Sequence, residues 1–330
     1  SRLLVDAAST NADAVLQPKG TGAVLAQLPT ATSTGGNKRG NNSVDLQTIR
    51  SSASSVSSGS YSVVSGGFNN TASTTYAMVG GGFSNNASSS SSSISGGRSN
   101  TASGSASHIG GGRGNTASSL YSTISGGRGN AASGTRSSII GGAYNQASGT
   151  YSTVGGGSEN SASGSYSVVL GGKQGSTRGI YGCITVASGR FSSNADAQSC
   201  QYILRSLTTD NAATILTTNQ AAASTTNQII LPNNSSYVVR GLISSHRTDV
   251  IGTSASWEFI GCIRRGEDVS STTLVAAITA TSIAFDAGAA TWTIAITADT
   301  TNGGLKIEFT GENSKTIRTV CVVDTVEVTS

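Results

Sequence analysis

Apolar residues in this 330-residue chain do not gather into long runs; between about residues 60 and 170 they recur singly, at a fixed interval. One β-branched aliphatic stands at Val64, Val79, Ile94, Ile109, Ile124, Ile139, Val154 and Val169, every 15 residues without a slip. A glycine pair follows each, starting at Gly66, Gly81, Gly96, Gly111, Gly126, Gly141, Gly156 and Gly171. Asn recurs from Asn70 to Asn160, and Ala-Ser from Ala72 to Ala162, in the same 15-residue step. The consensus reads Tyr-Ser-x-(Ile/Val)-x-Gly-Gly-x-x-Asn-x-Ala-Ser-Gly-x. Ile184 continues the aliphatic register after the repeats, and Ile49 anticipates it.

Helix is excluded, because two glycines per repeat cost about 2 kcal/mol relative to alanine, and Ser and Asn add to that. The stretch from Tyr-Ser to the aliphatic alternates as a short strand. The glycines and Asn permit positive φ and turn the chain. Ala-Ser-Gly reads as a second short segment. Each repeat therefore predicts one coil of a parallel β-solenoid, stacked about 4.8 Å from the next, with aliphatic and alanine ladders inside. The core is thin. One Val or Ile per coil contributes about 1.5–3 kcal/mol, while ordering 15 residues costs about 15–30 kcal/mol. Association of several chains is the expected remedy.

Past residue 190 the period changes to two. Tyr237–Ile243, Trp257–Ile263, Thr291–Ile296, Leu305–Phe309 and Thr316–Val323 alternate as strands, separated by turn signals at Asn233-Asn234, Asn302-Gly303-Gly304 and Gly311–Asn313. This predicts an antiparallel β-sandwich or jelly-roll of about 120 residues, with Trp257, Phe259, Trp292 and Phe309 in its core. The expected domains are an N-terminal segment over 1–50, the repeats over 51–190 and the sandwich over 191–330.

Composition narrows the chemistry. Charged residues are 11% and there are 2 His, against about 25% charged in an ordinary domain, which argues against a His-rich catalytic or metal site. Lys and Arg do not cluster, so nucleic acid is not an expected partner. No apolar run approaches the about 20 residues of a membrane span, so no membrane insertion is expected, and Ser1–Asp6 lacks the apolar stretch of a signal peptide. Cys183, Cys200, Cys262 and Cys321 form no CxxC; free thiols and a Cys183–Cys200 bridge are both open. Between 61 and 175 the one carboxylate is Glu159, too few for a glycosidase pair within the repeats, and no repeat supplies the Asp of a calcium solenoid. The chain is expected to be no enzyme, with no catalytic residue, metal or cofactor.

A few positions remain candidates for binding. Arg98, Arg113 and Arg128 share one repeat position, filled elsewhere by Phe68, Phe83, Ala143, Ser158 and Lys173. They are expected to stack about 5 Å apart on an outer face, as a solubilising stripe or as contacts to an acidic glycan. His108 is expected at the surface. His246, Arg247 and Asp249 fall between expected strands, hence on a loop that could form a receptor rim, and Glu267-Asp268 marks a further loop.

Tyr151–Gly164, with its copies over about 61–175, resembles the head repeat of trimeric autotransporter adhesins, whose usual repeat is one residue shorter. That resemblance implies a left-handed parallel β-roll with three chains side by side, hence a homotrimer. Ala14–Val24 and Gly35–Gln47 resemble segments preceding such repeats in tail-fibre proteins of tailed bacteriophages. Thr226–Ser235, Trp257–Gly261, Asp299–Leu305 and Thr310–Arg318 are similar to a fibre-tip module of the same proteins. The resemblance implies a structural tail fibre or other external appendage of a virion. It would join other virion proteins and bind a host-cell surface receptor, a glycan or a protein, by multivalent non-enzymatic contact. Alternatives are a bacterial trimeric surface adhesin, an ice- or polysaccharide-binding solenoid, and a depolymerising tailspike. Ice binding wants flat Thr ladders, and the position before the core aliphatic varies among Val63, Met78, Ser93, His108 and Thr123.

Overall fold

The computed structural model describes residues 18–250 and 252–330. Residues 1–17, with the first part of Ala14–Val24, lie outside the described residues. The chain divides into two compact units, up to Ser118 and from Ser119 onward. The fold is all-β, with two single-turn 3-10 helices among the described residues.

In the first unit, Val63–Val64, Met78–Val79, Ser93–Ile94 and His108–Ile109 pair in parallel, in register at 15-residue steps. Thr71–Ala72, Asn86–Ala87, Thr101–Ala102 and Thr116–Ala117 form a second ladder. These are the coils of a parallel β-solenoid. Each strand is only two residues long, because the preceding Tyr position is left-handed (Tyr61 φ 57°, Tyr76 φ 60°) rather than extended. Val64, Val79, Ile94 and Ile109 are fully buried, as are the alanines of the second ladder. His108 is half-buried, its Nδ1 2.9 Å from Ser93 Oγ.

The Asn of the consensus acts as a rivet. Asn85 Nδ2 donates to Gly81 O and to Gly97 O in the next coil, both at 2.9 Å. Its Oδ1 accepts from the amide of Asn100 at 3.0 Å. One buried side chain thus pairs the Gly81 carbonyl and the Asn100 amide, and gives a second donor to Gly97 O, which also accepts from the Phe83 amide. The second glycine of each pair is sterically required: a Cβ on Gly82 (φ 91°) would stand 2.1 Å from Gly97 O.

Parallel stacking begins earlier than the 15-residue period. Val24–Leu25 pairs with Val44–Asp45, and Val44–Asp45 with Val63–Val64. These coils are 20 and 19 residues long, so no fixed period announces them. Asp45 occupies the core place that Val64 takes one coil on, neutralised by Arg39 at 2.7 Å and Arg50 at 3.8 Å. Gln47 starts the rivet ladder: its Oε1 accepts from the Asn70 amide at 2.9 Å. Ile49 does not anticipate the aliphatic register; it is exposed and bridges Phe68, at the Arg98 position of the repeat.

The second unit carries coils of the same design. Thr123–Ile124, Ser138–Ile139, Thr153–Val154 and Val168–Lys173 form one ladder, with Ile124, Ile139, Val154 and Val169 fully buried. Then the register slips by one residue. Ile184 pairs with Val168 and Thr185 with Val169, so Thr185 and Cys183 face inward and Ile184 does not. Ile184–Ser188 also pairs antiparallel with the strand that follows, where the solenoid gives way to the sandwich.

The sandwich strands are β1 (Ala197–Thr208), β2 (Thr214–Ile215), β3 (Ile229–Ile230), β4 (Ser235–Arg247), β5 (Ser254–Arg265), β6 (Thr273–Leu274), β7 (Thr281–Phe285), β8 (Thr293–Asp299), β9 (Gly304–Thr310) and β10 (Ile317–Thr329). One antiparallel sheet runs β1-β10-β4-β5, with β6 and β7 on the far edge of β5. The other sets β9 between β8 on one side and β2 and β3 on the other. Strict alternation explains the pairing of faces: Tyr202, Leu204, Tyr237, Val239, Phe259 and Cys321 of the first sheet pack on Leu216, Ile229, Leu305, Ile307 and Phe309 of the second. Trp257 and Trp292 each meet Phe309 edge-on, at 6.3 and 5.9 Å. Burial of side chains this size contributes about 1.5–3 kcal/mol each, far more per residue than a coil supplies. All four cysteines are free thiols.

Candidate functional site

A 15-residue coil brings side chains at one repeat position into direct succession. In the second unit this builds a ladder from Tyr121, Arg136, Tyr151, Tyr166 and Tyr181. The Arg136 guanidinium lies 5.4 Å from the Tyr121 ring and 5.2 Å from that of Tyr151, and its Nη1 donates to Tyr151 Oη at 2.7 Å. Tyr151 stacks on Tyr166 at 4.9 Å, and Tyr166 meets Tyr181 at 5.1 Å. The first four are exposed, with φ of 56–57°. Arg136 and Tyr166 both pack on the Tyr151 ring, so the exposed parts of the ladder recur at a regular step. Stacked and cation–π contacts of this kind contribute about 0.5–1.5 kcal/mol each, which helps hold non-glycine residues in a left-handed turn. The sequence reading missed Arg136. Its signal is that it stands at the repeat position of the tyrosines.

Arg98 and Arg113 are exposed and bridge each other on the first unit, but Arg98 is not simply one of a stripe of like charges. Its guanidinium lies 5.0 Å over Phe83, whose ring stacks on Phe68 at 5.0 Å. Arg128 belongs to the second unit, where it is exposed, lies 5.4 Å over Tyr144 and bridges Ala143. Phe and Arg share this position because a guanidinium and a ring stack on each other.

His246 and Arg247 stand at the end of β4, not on a loop: the ladder with β10 runs on to Arg247–Ile317. Asp249 follows in the turn. Arg247 Nε and Nη2 grip its carboxylate at 2.9 and 2.7 Å, and the Thr316 amide donates to it at 3.2 Å. The Arg247 hydrogen bond pulls the Asp249 carboxyl from its ordinary 3.8 down to about 2. The folded value is depressed, so the clasp is intact above the ordinary carboxylate value and is lost as pH falls through about 2. The Thr316 amide resonance is therefore expected to hold its folded position at pH 4 and move near pH 2. In Arg247→Gln the same change should come near pH 4.

A buried polar network joins the last coils to the sandwich. Glu327, fully buried, accepts from Arg178 Nη1, from Gln198 Nε2 at 2.9 Å and from Tyr202 Oη at 3.0 Å. Arg178 also donates to Tyr237 Oη and to Ala195 O. Burial, with the Glu327 charge nearby, pushes the Tyr202 and Tyr237 phenols well above their usual range, so both remain protonated donors.

The same region gathers carboxylates that the sequence kept apart. Glu159 of the repeats and Asp196, just ahead of β1, line one cavity of about 340 Å³, with Arg178 in its wall. Glu159 accepts from Gln174 Nε2 at 2.7 Å. Asp196 accepts from the amides of Phe191, Ser192 and Ser193, which lower its pKa against the opposing effect of burial.

The fold defines the class: an all-β protein of parallel β-solenoid coils followed by an antiparallel β-sandwich. Solved structures similar to it include three phage tailspike proteins. The tailspike protein of Acinetobacter baumannii bacteriophage Fri1, a capsular polysaccharide depolymerase, aligns over 86% of this chain and 67% of its own, at 9% identity and a TM-score of 0.22. The tailspike of A. baumannii phage AM24 aligns over 90% and 68%, at 8% identity and 0.24. That of Acinetobacter phage vB_ApiP_P1 aligns over 82% and 62%, at 9% identity and 0.20. No protein-family model matches the chain, and no curated protein matches it in sequence.

The expectation that the chain is not an enzyme is corrected on this finding, since a polysaccharide depolymerase is among the similar structures. The physical reason is that counting acids within 61–175 was too narrow. Glu159 shares a cavity with a carboxylate from outside the repeats.

Proposed function

We propose that the chain is part of an external tail appendage of a bacteriophage, a fibre or spike joined to other virion proteins, and that it binds a polysaccharide of the host-cell surface. The observation that carries this reading is the ladder Tyr121–Arg136–Tyr151–Tyr166–Tyr181, its first four members exposed. Its step is comparable to the length of one sugar ring. It offers phenol hydroxyls and a guanidinium on a rigid backbone with few competing charges, and aromatic edges beside hydrogen-bonding groups suit polyols. Arg98, Arg113 and Arg128 on the coils, and His246, Arg247 and Asp249 at the hairpin end, are the further contacts proposed.

We also propose that it acts as a homotrimer. The outer face of the large sheet exposes Ile203, Val238, Leu242, Ile260, Val320 and Val326, more apolar surface than a lone domain usually leaves open. Arg240 and Asp324 stand opposite each other in that face, so around a three-fold axis the arginine of each copy can meet the aspartate of the next. Light scattering should give three times the 32.9 kDa of one chain, and Val238→Glu should lower it to one.

The binding test uses the intact chain on encapsulated bacterial cells, before and after periodate oxidation of their surface sugars. Adsorption should be lost on oxidised cells. Tyr151→Ser with Tyr166→Ser should weaken it about tenfold without unfolding, because Ser91 already occupies that left-handed position (φ 56°). Equal adsorption to oxidised and untreated cells would contradict the reading. Release of reducing ends in the same mixture reads cleavage directly.

A further inference from the structure

We propose that a cavity at one end of the sandwich binds a carboxylate-bearing sugar of an acidic polysaccharide; this rests on the polysaccharide reading and names the kind of sugar. The cavity is about 560 Å³, and its walls include Asn234, Ser236, Arg264, Arg265, Ser271 and Thr273. The sheet places them. Ser236 of β4 is opposite Arg264 of β5, and Arg264 is opposite Thr273 of β6, so a guanidinium stands between two hydroxyls. The next residue, Arg265, alternates to the other side of the strand, where its Nη1 donates to Leu231 O at 2.6 Å.

The site is built before any ligand arrives. The Asn234 amide donates to Gly266 O at 2.8 Å, tying the turn before β4 to the loop after β5. Within that loop the Gly266 amide donates to Ser271 Oγ at 2.9 Å. Asp268 Oδ1 accepts from Ser270 Oγ at 2.7 Å and from the Ser271 amide at 2.9 Å, so this carboxylate oxygen is engaged in holding the loop.

Two features point to an anionic guest. Among the described residues the Arg264 side chain is exposed and has no hydrogen bond or ion pair. Arg265 and Thr329 also line the cavity from the opposite side of their strands, and each carries a buried atom without a partner, Nε and Oγ1, a state that folded proteins seldom leave unfilled. The Arg264 guanidinium alone presents the paired N–H donors that match a carboxylate. The side-chain amide of Asn234 and the hydroxyls of Ser236 and Thr273 match the sugar hydroxyls around it. A bare inorganic anion would leave that second set unused.

The test titrates the intact chain with oligomers of galacturonate, mannuronate and sialic acid, with maltohexaose as neutral control and inorganic phosphate as ion control, following bound resonances by NMR. At least one acidic oligomer should bind at concentrations where maltohexaose and phosphate do not, and more weakly as salt is raised. Arg264→Gln should weaken that binding at least tenfold and Arg264→Lys less. The melting temperature should be unchanged, because Arg264 has no partner inside the fold. Binding unaffected by Arg264→Gln, or phosphate binding as tightly as the oligomer, would overturn the proposal. If no acidic oligomer binds while the chain still adsorbs to cells in a periodate-sensitive way, the cavity assignment fails and the function reading stands. If adsorption to cells is also insensitive to periodate, both fail.

Discussion

Replacing Asn145 by alanine is expected to destabilise the unit from Ser119 onward by about 3–6 kcal/mol, the sum of several buried hydrogen bonds lost and groups left unpaired. Asn145 Nδ2 donates to Gly141 O and Gly157 O, both at 3.0 Å, and its Oδ1 accepts from the Asn160 amide at 3.0 Å. Alanine removes all three bonds and strands the Gly141 carbonyl and the Asn160 amide inside a coil stack, while Gly157 O keeps the Ala143 amide. The neighbouring Gln146→Ala is the control. Gln146 is exposed, and its loss should stay within about 0.5 kcal/mol. Asn145→Asp should cost at least as much as alanine, because it sets a buried carboxylate oxygen against the Gly141 and Gly157 carbonyls. Denaturant midpoints of the three variants measure the series. A loss below 1 kcal/mol for Asn145→Ala would mean that the coils are held by something other than this ladder.

Glu327→Ala is expected to destabilise the same unit by about 3–5 kcal/mol, the range for breaking one side of a buried ion pair. Glu327 is fully buried and takes Arg178, Gln198 and Tyr202 as donors. Its removal leaves the Arg178 guanidinium without its counter-charge and the Tyr202 hydroxyl without an acceptor. Arg178→Met alone should also be costly, while the double variant Arg178→Met with Glu327→Leu should recover much of the loss. A double-mutant cycle on unfolding midpoints measures the coupling, and additivity within about 0.5 kcal/mol would show that the pair does not act as a unit.

What the sequence made legible is what repeats. The period, the buried aliphatic and the need for glycine are local and are stated many times over, so coils could be read without any structure. Where the chain departs from the period, legibility ends. Asp45 sits at a core position that the pattern reserves for an aliphatic, and it is explained only by Arg39 and Arg50 folding onto it. Ile184 keeps the spacing and loses the place, because one residue inserted before it hands the inward position to Thr185. His246 and Arg247 read as loop because Ser244 and Ser245 carry no apolar signal, although the β10 partner extends the strand beneath them. The Arg178–Glu327 pair and the cavity shared by Glu159 and Asp196 join residues from distant parts of the chain, which no local pattern displays. The ladder through Arg136 was hidden differently: tyrosine and arginine are unlike as letters, yet equivalent as flat groups that stack.

The ladder from Tyr121 to Tyr181 is proposed to recognise bacterial polysaccharide. The most direct test is binding of the intact chain to an array of purified bacterial surface polysaccharides, with free polysaccharide as competitor. The account predicts saturable binding to a subset of the array, displaced by the same polysaccharide in solution and reduced about tenfold in the Tyr151→Ser, Tyr166→Ser variant. Binding to none of the array, or binding that free polysaccharide does not displace, would contradict it.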